Sequence, residues 1–279
     1  MKKPDNIEVR HLFPELYSAL IELLQDLSAD EWNYSTSSSK WTVKDIVAHL
    51  LDTDLRRISF QRDNLIPPTY GKQIENDKQL LEYINYLNNT WVEVSKRISP
   101  GVLIDLLGYI KIEMPKLLNS LNMNDEALFG VSWAGEKKSK CWFDIAREYT
   151  EKWYHQQQIR EAVGKPLLSD EKWMCPLIDT YVRGLPYLYQ KVFPDITNTI
   201  VLLIVEDISN GKWILEKKNS WKLFVGDTLD YSSKIVMNAD TAWRMFEKNI
   251  SKEEAKQRIT VEGNVELGQV MLELTTNIK

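Results

Sequence analysis

The hydrophobic period of this chain changes once, near Pro194, and that change limits its possible folds more than any other feature of the sequence. Before it, apolar residues recur at steps of three and four, as on helices with one buried face; after it come short β-branched runs separated by turn residues. A chain of 279 residues written this way reads as α+β in two parts: an up-down helical bundle over residues 1–194 and a small α/β domain over 195–279.

The first helical stretch, 9–27, puts Leu12, Leu16, Leu20, Leu23, Leu24 and Leu27 on one side. A second begins after Trp41, where Thr42 and Asp45 have the spacing of a capping box, and carries Ile46, Val47, Leu50 and Leu51. Helical patterns over 77–98 and 102–121 are separated by Ser99-Pro100-Gly101. Residues 122–140 lose the period but hold Phe129, Trp133 and Gly135, and read as a long ordered loop. Further helices are expected over 142–163, stopped by Gly164-Lys165-Pro166, and over 171–193, which has to accommodate Gly184 and Pro186. Beyond Pro194, strands are expected over 199–206, 212–216, 221–225 and 234–237, with Asn210-Gly211 as a hairpin turn. Helices over 240–249 and 252–257, a strand over 259–262 and a closing helix over 265–274 complete the pattern.

Composition removes several classes of function. Hydrophobic residues at 43% and charged residues at 27% are those of an ordinary globular protein. A net charge of −5, with lysines and arginines scattered, argues against a groove for nucleic acid. No signal-type apolar stretch and no run of 18 apolar residues occurs, so a cytoplasmic protein with no membrane span is expected. Cys141 and Cys175 lack metal-type spacing and read as buried thiols.

Three histidines, His11, His49 and His155, leave few ways to build a histidine site. Glu151 and His155, four residues apart on one helix, share a face as a chelating pair does. Acidic residues are common enough, however, that His11 has Glu8 and Glu15 nearby and His49 has Asp45 and Asp52. His49 falls at the margin of its helix's apolar arc, where a half-buried imidazole needs a partner. Glu151 and His155 point away from the seam of Trp142, Ile145, Tyr149 and Trp153, so a solvated salt pair competes with a metal site unless this helix is packed on two faces.

Two segments carry a family likeness. Trp41-Thr-Val-Lys-Asp-Ile-Val-Ala-His49-Leu, and Glu151-Lys-Trp-Tyr-His155 running on to Gly164-Lys-Pro166, resemble the mycothiol-dependent maleylpyruvate isomerase family, whose N-terminal bundle is DinB-like. The stretch from Ile235-Val-Met-Asn-Ala-Asp to Ile259-Thr-Val-Glu-Gly-Asn264 is similar to the sterol-carrier-like domain fused to such bundles. The resemblance implies a divalent metal on His49, Glu151 and His155, with zinc the first choice and nickel, iron or manganese also compatible with the donors. It implies a low-molecular-weight thiol as cofactor and, as activity, a metal- and thiol-dependent transferase or isomerase acting on a small electrophilic substrate, acidic ones included.

The chain departs from the family pattern at Gln158, where many relatives have aspartate, and at Gly263-Asn264, where they have Gly-Asp. Gln158 and Arg244, the latter weighed beside Arg258, are the candidate contacts to substrate or thiol. Lysine outnumbers arginine 25 to 10, unlike the high-GC actinobacteria that make mycothiol, which brings bacillithiol and glutathione into consideration. Two other readings share the fold: a non-catalytic module for a small ligand or protein, and a hydrolase using metal-bound water.

Overall fold

The computed structural model describes residues 1–38 and 40–276. The change from helix to strand falls between Val192 and Thr199. Packing divides the chain differently: one compact unit is Val9–Asn122 with Glu151–Leu168, and the other joins Met1–Glu8, Met123–Thr150 and, of the described residues, 169–276.

The first unit is helical. Its α1 (Phe13–Gln25), opened by Pro14 in the first turn, buries Phe13, Leu16, Tyr17, Leu20, Leu23 and Leu24 at the helical period. Helix α2 (Val43–Arg57) starts at the expected capping box: Asp45 N–H donates to the Thr42 hydroxyl and Thr42 N–H donates to the Asp45 carboxylate at 3.0 Å. A single π turn, Ile58–Arg62, extends it. Asn76 caps α3 (Asp77–Ser95) and Ser99 caps α4 (Pro100–Ser120), as the breaker Ser99-Pro100-Gly101 requires. Helix α4 packs on α1 and α2, and α3 packs on α2. The last helix, α5 (Cys141–Ala162), gives its C-terminal half to this unit and its N-terminal half to the other.

Helix α2 buries four polar side chains, His49, Asp52, Asp54 and Arg57. Burial holds the Asp52 carboxyl above its ordinary range, against the opposing pull of Arg56 at 3.0 Å and of Lys152. A carboxyl raised in the fold favours folding fully below its unfolded value of about 4, and that contribution is lost as pH rises through the folded value. Asp52→Asn, which keeps the neutral shape, is therefore expected to raise the thermal midpoint near pH 7 and to leave it unchanged near pH 3. A lower midpoint at neutral pH would show that the Arg56 pair outweighs desolvation.

In the second unit, α6 (Glu171–Val182) and α7 (Leu185–Val192) replace the single helix expected over 171–193. Pro186 lacks the N–H that would continue α6 and opens α7 instead. At the break, a Cβ on Gly184 would sit 2.9 Å from the Trp133 ring, so only glycine allows this approach. The loop over 123–140 is ordered by a bridge between Glu126 and Lys140 and by a 3₁₀ turn, Ser132–Ala134.

The five strands are β1 (Thr199–Val205), β2 (Lys212–Lys217), β3 (Trp221–Val225), β4 (Ser233–Met237) and β5 (Thr260–Gly263), in the order β3-β2-β1-β4-β5. β1 runs parallel to β4, and the other pairs are antiparallel. Asn210 takes the left-handed conformation, φ 57°, in the loop 206–211 that joins the antiparallel β1 and β2. Helices α8 (Ala239–Phe246) and α9 (Lys252–Arg258) connect β4 to β5. The closing helix expected over 265–274 is a short α10 (Val265–Gln269) followed by a 3₁₀ turn, Val270–Glu273. No helix among the described residues is long and apolar enough to cross a membrane.

Candidate metal centre

His49, Glu151 and His155 all lie in the helical unit. The capping box fixes where α2 begins and so places His49 two turns along it, 7% exposed. Trp41, just before the cap, lays its ring 4.9 Å from that of His49 and 6.4 Å from that of His155. The two imidazoles meet edge to face, with centroids 4.9 Å apart. On α5, His155 Nε2 is 3.5 Å from Glu151 Oε2, and their side chains are 12% and 28% exposed. Both faces of this helix are packed, as Phe143, Ile145, Tyr149, Trp153 and Tyr154 are all buried, so Glu151 and His155 do not stand on a freely solvated side.

Gln158, three residues beyond His155, is buried and brings its Oε1 to 2.7 Å from His155 Nδ1. Its amide nitrogen donates to Tyr154 Oη at 3.1 Å and to Ser37 Oγ at 3.2 Å. With the Gln158 carbonyl oxygen as acceptor, Nδ1 is the donor of this bond, and Nε2 is the ring nitrogen that faces Glu151. A lone pair facing a carboxylate oxygen across 3.5 Å is repulsive unless a positive charge, either a proton or a metal ion, lies between them. The separation is close to the about 3.4 Å between two ligand atoms on a tetrahedral ion with bonds near 2.1 Å.

Two imidazoles and one carboxylate are donor types that a divalent ion accepts, and Gln158 is an outer acceptor on one ring. As placed, however, they do not form a metal site: among the described residues no group of three His, Cys, Asp or Glu side chains could hold a metal ion. Glu151 and His155 form the pair, and His49 stands beside it. A separate cavity of about 330 Å³, bounded by Tyr83 and Trp91 near the Asp52–Arg56 pair, includes none of the three.

The remaining candidates lie elsewhere. His11 is exposed at the 3₁₀ turn before α1. Arg244 is in the other unit, where its Nε donates to Asp240 at 2.9 Å and its guanidinium lies 4.2 Å from the Trp243 ring centroid. Arg258 approaches the same Asp240 at 3.5 Å. Cys141 is buried, and burial, with Glu171 nearby, pushes the half-buried Cys175 thiol up to about 11, so that it stays protonated at neutral pH. The sequence reading missed the support that Tyr154 and Ser37 give Gln158. The spacing of Tyr154, His155 and Gln158 within one turn was its only signal, and Ser37 had none.

The fold and the site define an α+β protein in which one helix offers a histidine and another a Glu-x-x-x-His pair, in a chain that also forms a five-stranded mixed sheet. Two solved structures of the mycothiol-dependent maleylpyruvate isomerase share this fold. A histidine-to-alanine mutant of that enzyme is 12% identical, with a TM-score of 0.52, and the unmutated form is 13% identical, with a TM-score of 0.50; each match covers 93% of both chains. A third structure, described as a UbiJ-SCP2 ubiquinone synthesis protein, is 11% identical and covers 32% of this chain and 87% of its own, at a TM-score of 0.24 that carries no weight. No family model and no curated protein matches the sequence.

Proposed function

We propose that this chain is a metal-dependent enzyme that uses a low-molecular-weight thiol to transfer to, or isomerise, a small electrophilic substrate. Residues 1–194 would carry the metal bundle and 195–279 the sterol-carrier-like domain. The observation that carries the reading is the setting of His155, with Nδ1 committed to Gln158 and Nε2 3.5 Å from Glu151, next to the His49 ring. His49, Glu151 and His155 would hold the ion, which when bound supplies a Lewis acid that stabilises a thiolate near neutral pH. Gln158 fixes the tautomer and ring plane of His155, while Trp41 covers both imidazoles on one side. Cys141 is buried and Cys175 is held as a thiol, which supports placing the nucleophilic sulfur on the small molecule.

The reading is tested by assaying metal-loaded protein with mycothiol, bacillithiol and glutathione against maleylpyruvate and other small electrophiles. Turnover that needs one of these thiols and stops on chelation supports it. Ligand binding without turnover favours the non-catalytic module, and thiol-independent cleavage favours the hydrolase. Gln158→Leu is expected to weaken the ion by about 10–100-fold in a competition titration with a chromophoric chelator. An affinity within twofold of the unchanged protein would remove Gln158 from the account.

A further inference from the structure

Lys152 stands between Glu151 and His155 in α5, is 4% exposed, and binds α2 through its ammonium group. Nζ meets the Leu50 carbonyl at 3.0 Å, Thr53 Oγ1 at 2.5 Å and Asp54 Oδ1 at 2.9 Å, three acceptors on one helix. Asp54 is 0% exposed, and the same Oδ1 accepts the Tyr17 hydroxyl at 2.8 Å. One buried network thus ties α1, α2 and α5 together.

We propose that Lys152 is a positioning residue that sets the register of α5 against α2 and so holds His155 beside His49. Its bearing on function rests on the metal-centre reading, but the register itself does not. Lys152 directly follows Glu151 and Leu50 directly follows His49, so the bond between them fixes the segments that carry the donors. Gln156 and Arg160 tie α5 to α1 through the Leu16 and Ala19 carbonyls, and Lys152 ties it to α2.

Desolvating an ion pair offsets most of its attraction, and a well-packed apolar replacement is commonly as stable, so what such a pair adds is a single register. An apolar seam tolerates a slip of one turn, about 5.4 Å. That slip exceeds the 4.9 Å between the two imidazoles. An ammonium matched to one carbonyl, one hydroxyl and one carboxylate has no second position of equal energy.

The test is a triple variant, Tyr17→Phe, Asp54→Leu and Lys152→Met, which removes the two charges and the phenol hydroxyl together and leaves the Thr53 hydroxyl its own bond to the Leu50 carbonyl at 2.9 Å. In protein labelled only at its three histidines, the nuclear Overhauser cross-peak between the His49 and His155 rings is followed, with Co²⁺ affinity as a second readout. The expected result is a folded variant with native helix content, no His49–His155 cross-peak and Co²⁺ binding weakened at least about 10-fold, while Asp54→Asn, which keeps an acceptor, retains the cross-peak. A cross-peak that persists in the folded triple variant overturns the proposal. So does a triple variant that fails to fold, because the network would then serve the whole bundle, and so does an unchanged protein that lacks the cross-peak. If the cross-peak behaves as expected but the unchanged protein binds no Co²⁺, the metal-centre reading fails and the register stands.

Discussion

His155→Ala is expected to abolish thiol-dependent turnover and to weaken divalent-ion binding more than about 100-fold, because losing an outer partner of a metal ligand alone costs 10–100-fold. The fold should survive. The side chain is 12% exposed and lies outside the apolar seam. Its loss strands the Gln158 carbonyl oxygen, at a cost of about 1–3 kcal/mol. Chelator competition and circular dichroism on the same sample separate loss of the site from loss of structure. Unchanged turnover in a folded variant would remove His155 from the chemistry.

The largest effect on stability is expected from Lys152→Met alone. The substitution leaves the Asp54 carboxylate, 0% exposed, with Tyr17 as a partner but without its ammonium. Breaking one side of a buried pair typically costs about 3–5 kcal/mol, which for a chain of this size is a fall of roughly 10 °C in thermal midpoint. Removing Asp54 and Tyr17's hydroxyl as well should restore most of it, since the penalty belongs to the buried carboxylate that has lost the Lys152 ammonium. A single variant as stable as the parent would mean that water or another cation reaches Asp54.

Local features of the fold were legible in the sequence because their causes are local. The leucine period of α1, the Thr42–Asp45 box that starts α2, the proline and serine that separate α3 from α4, and the Asn210-Gly211 turn each sit within a few residues of what they determine. The break at Gly184 was visible as a difficulty, but its reason, the Trp133 ring, lies some fifty residues away in sequence. The candidate site divides in the same way. Glu151 and His155 could be paired from their spacing on one helix, whereas their approach to His49 depends on the packing of α5 against α2. Lys152 gave no signal, since a lysine on a helix that also carries Glu151 and Arg160 reads as solvated until its partners, 98 to 102 residues away, are known. Gln158 was singled out only because its residue type departs from the family pattern; that its oxygen faces His155 follows from Tyr154 and Ser37.

Whether His49, Glu151 and His155 hold an ion is decided by the metal content per chain, measured by elemental analysis on protein purified without a metal-affinity tag, for the unchanged sequence and for His155→Ala. About one equivalent of zinc or a similar divalent ion is expected in the former and background levels in the latter. No metal in the unchanged protein, even after it is supplied and the excess removed, or equal amounts in both, would contradict a centre built on His49, Glu151 and His155.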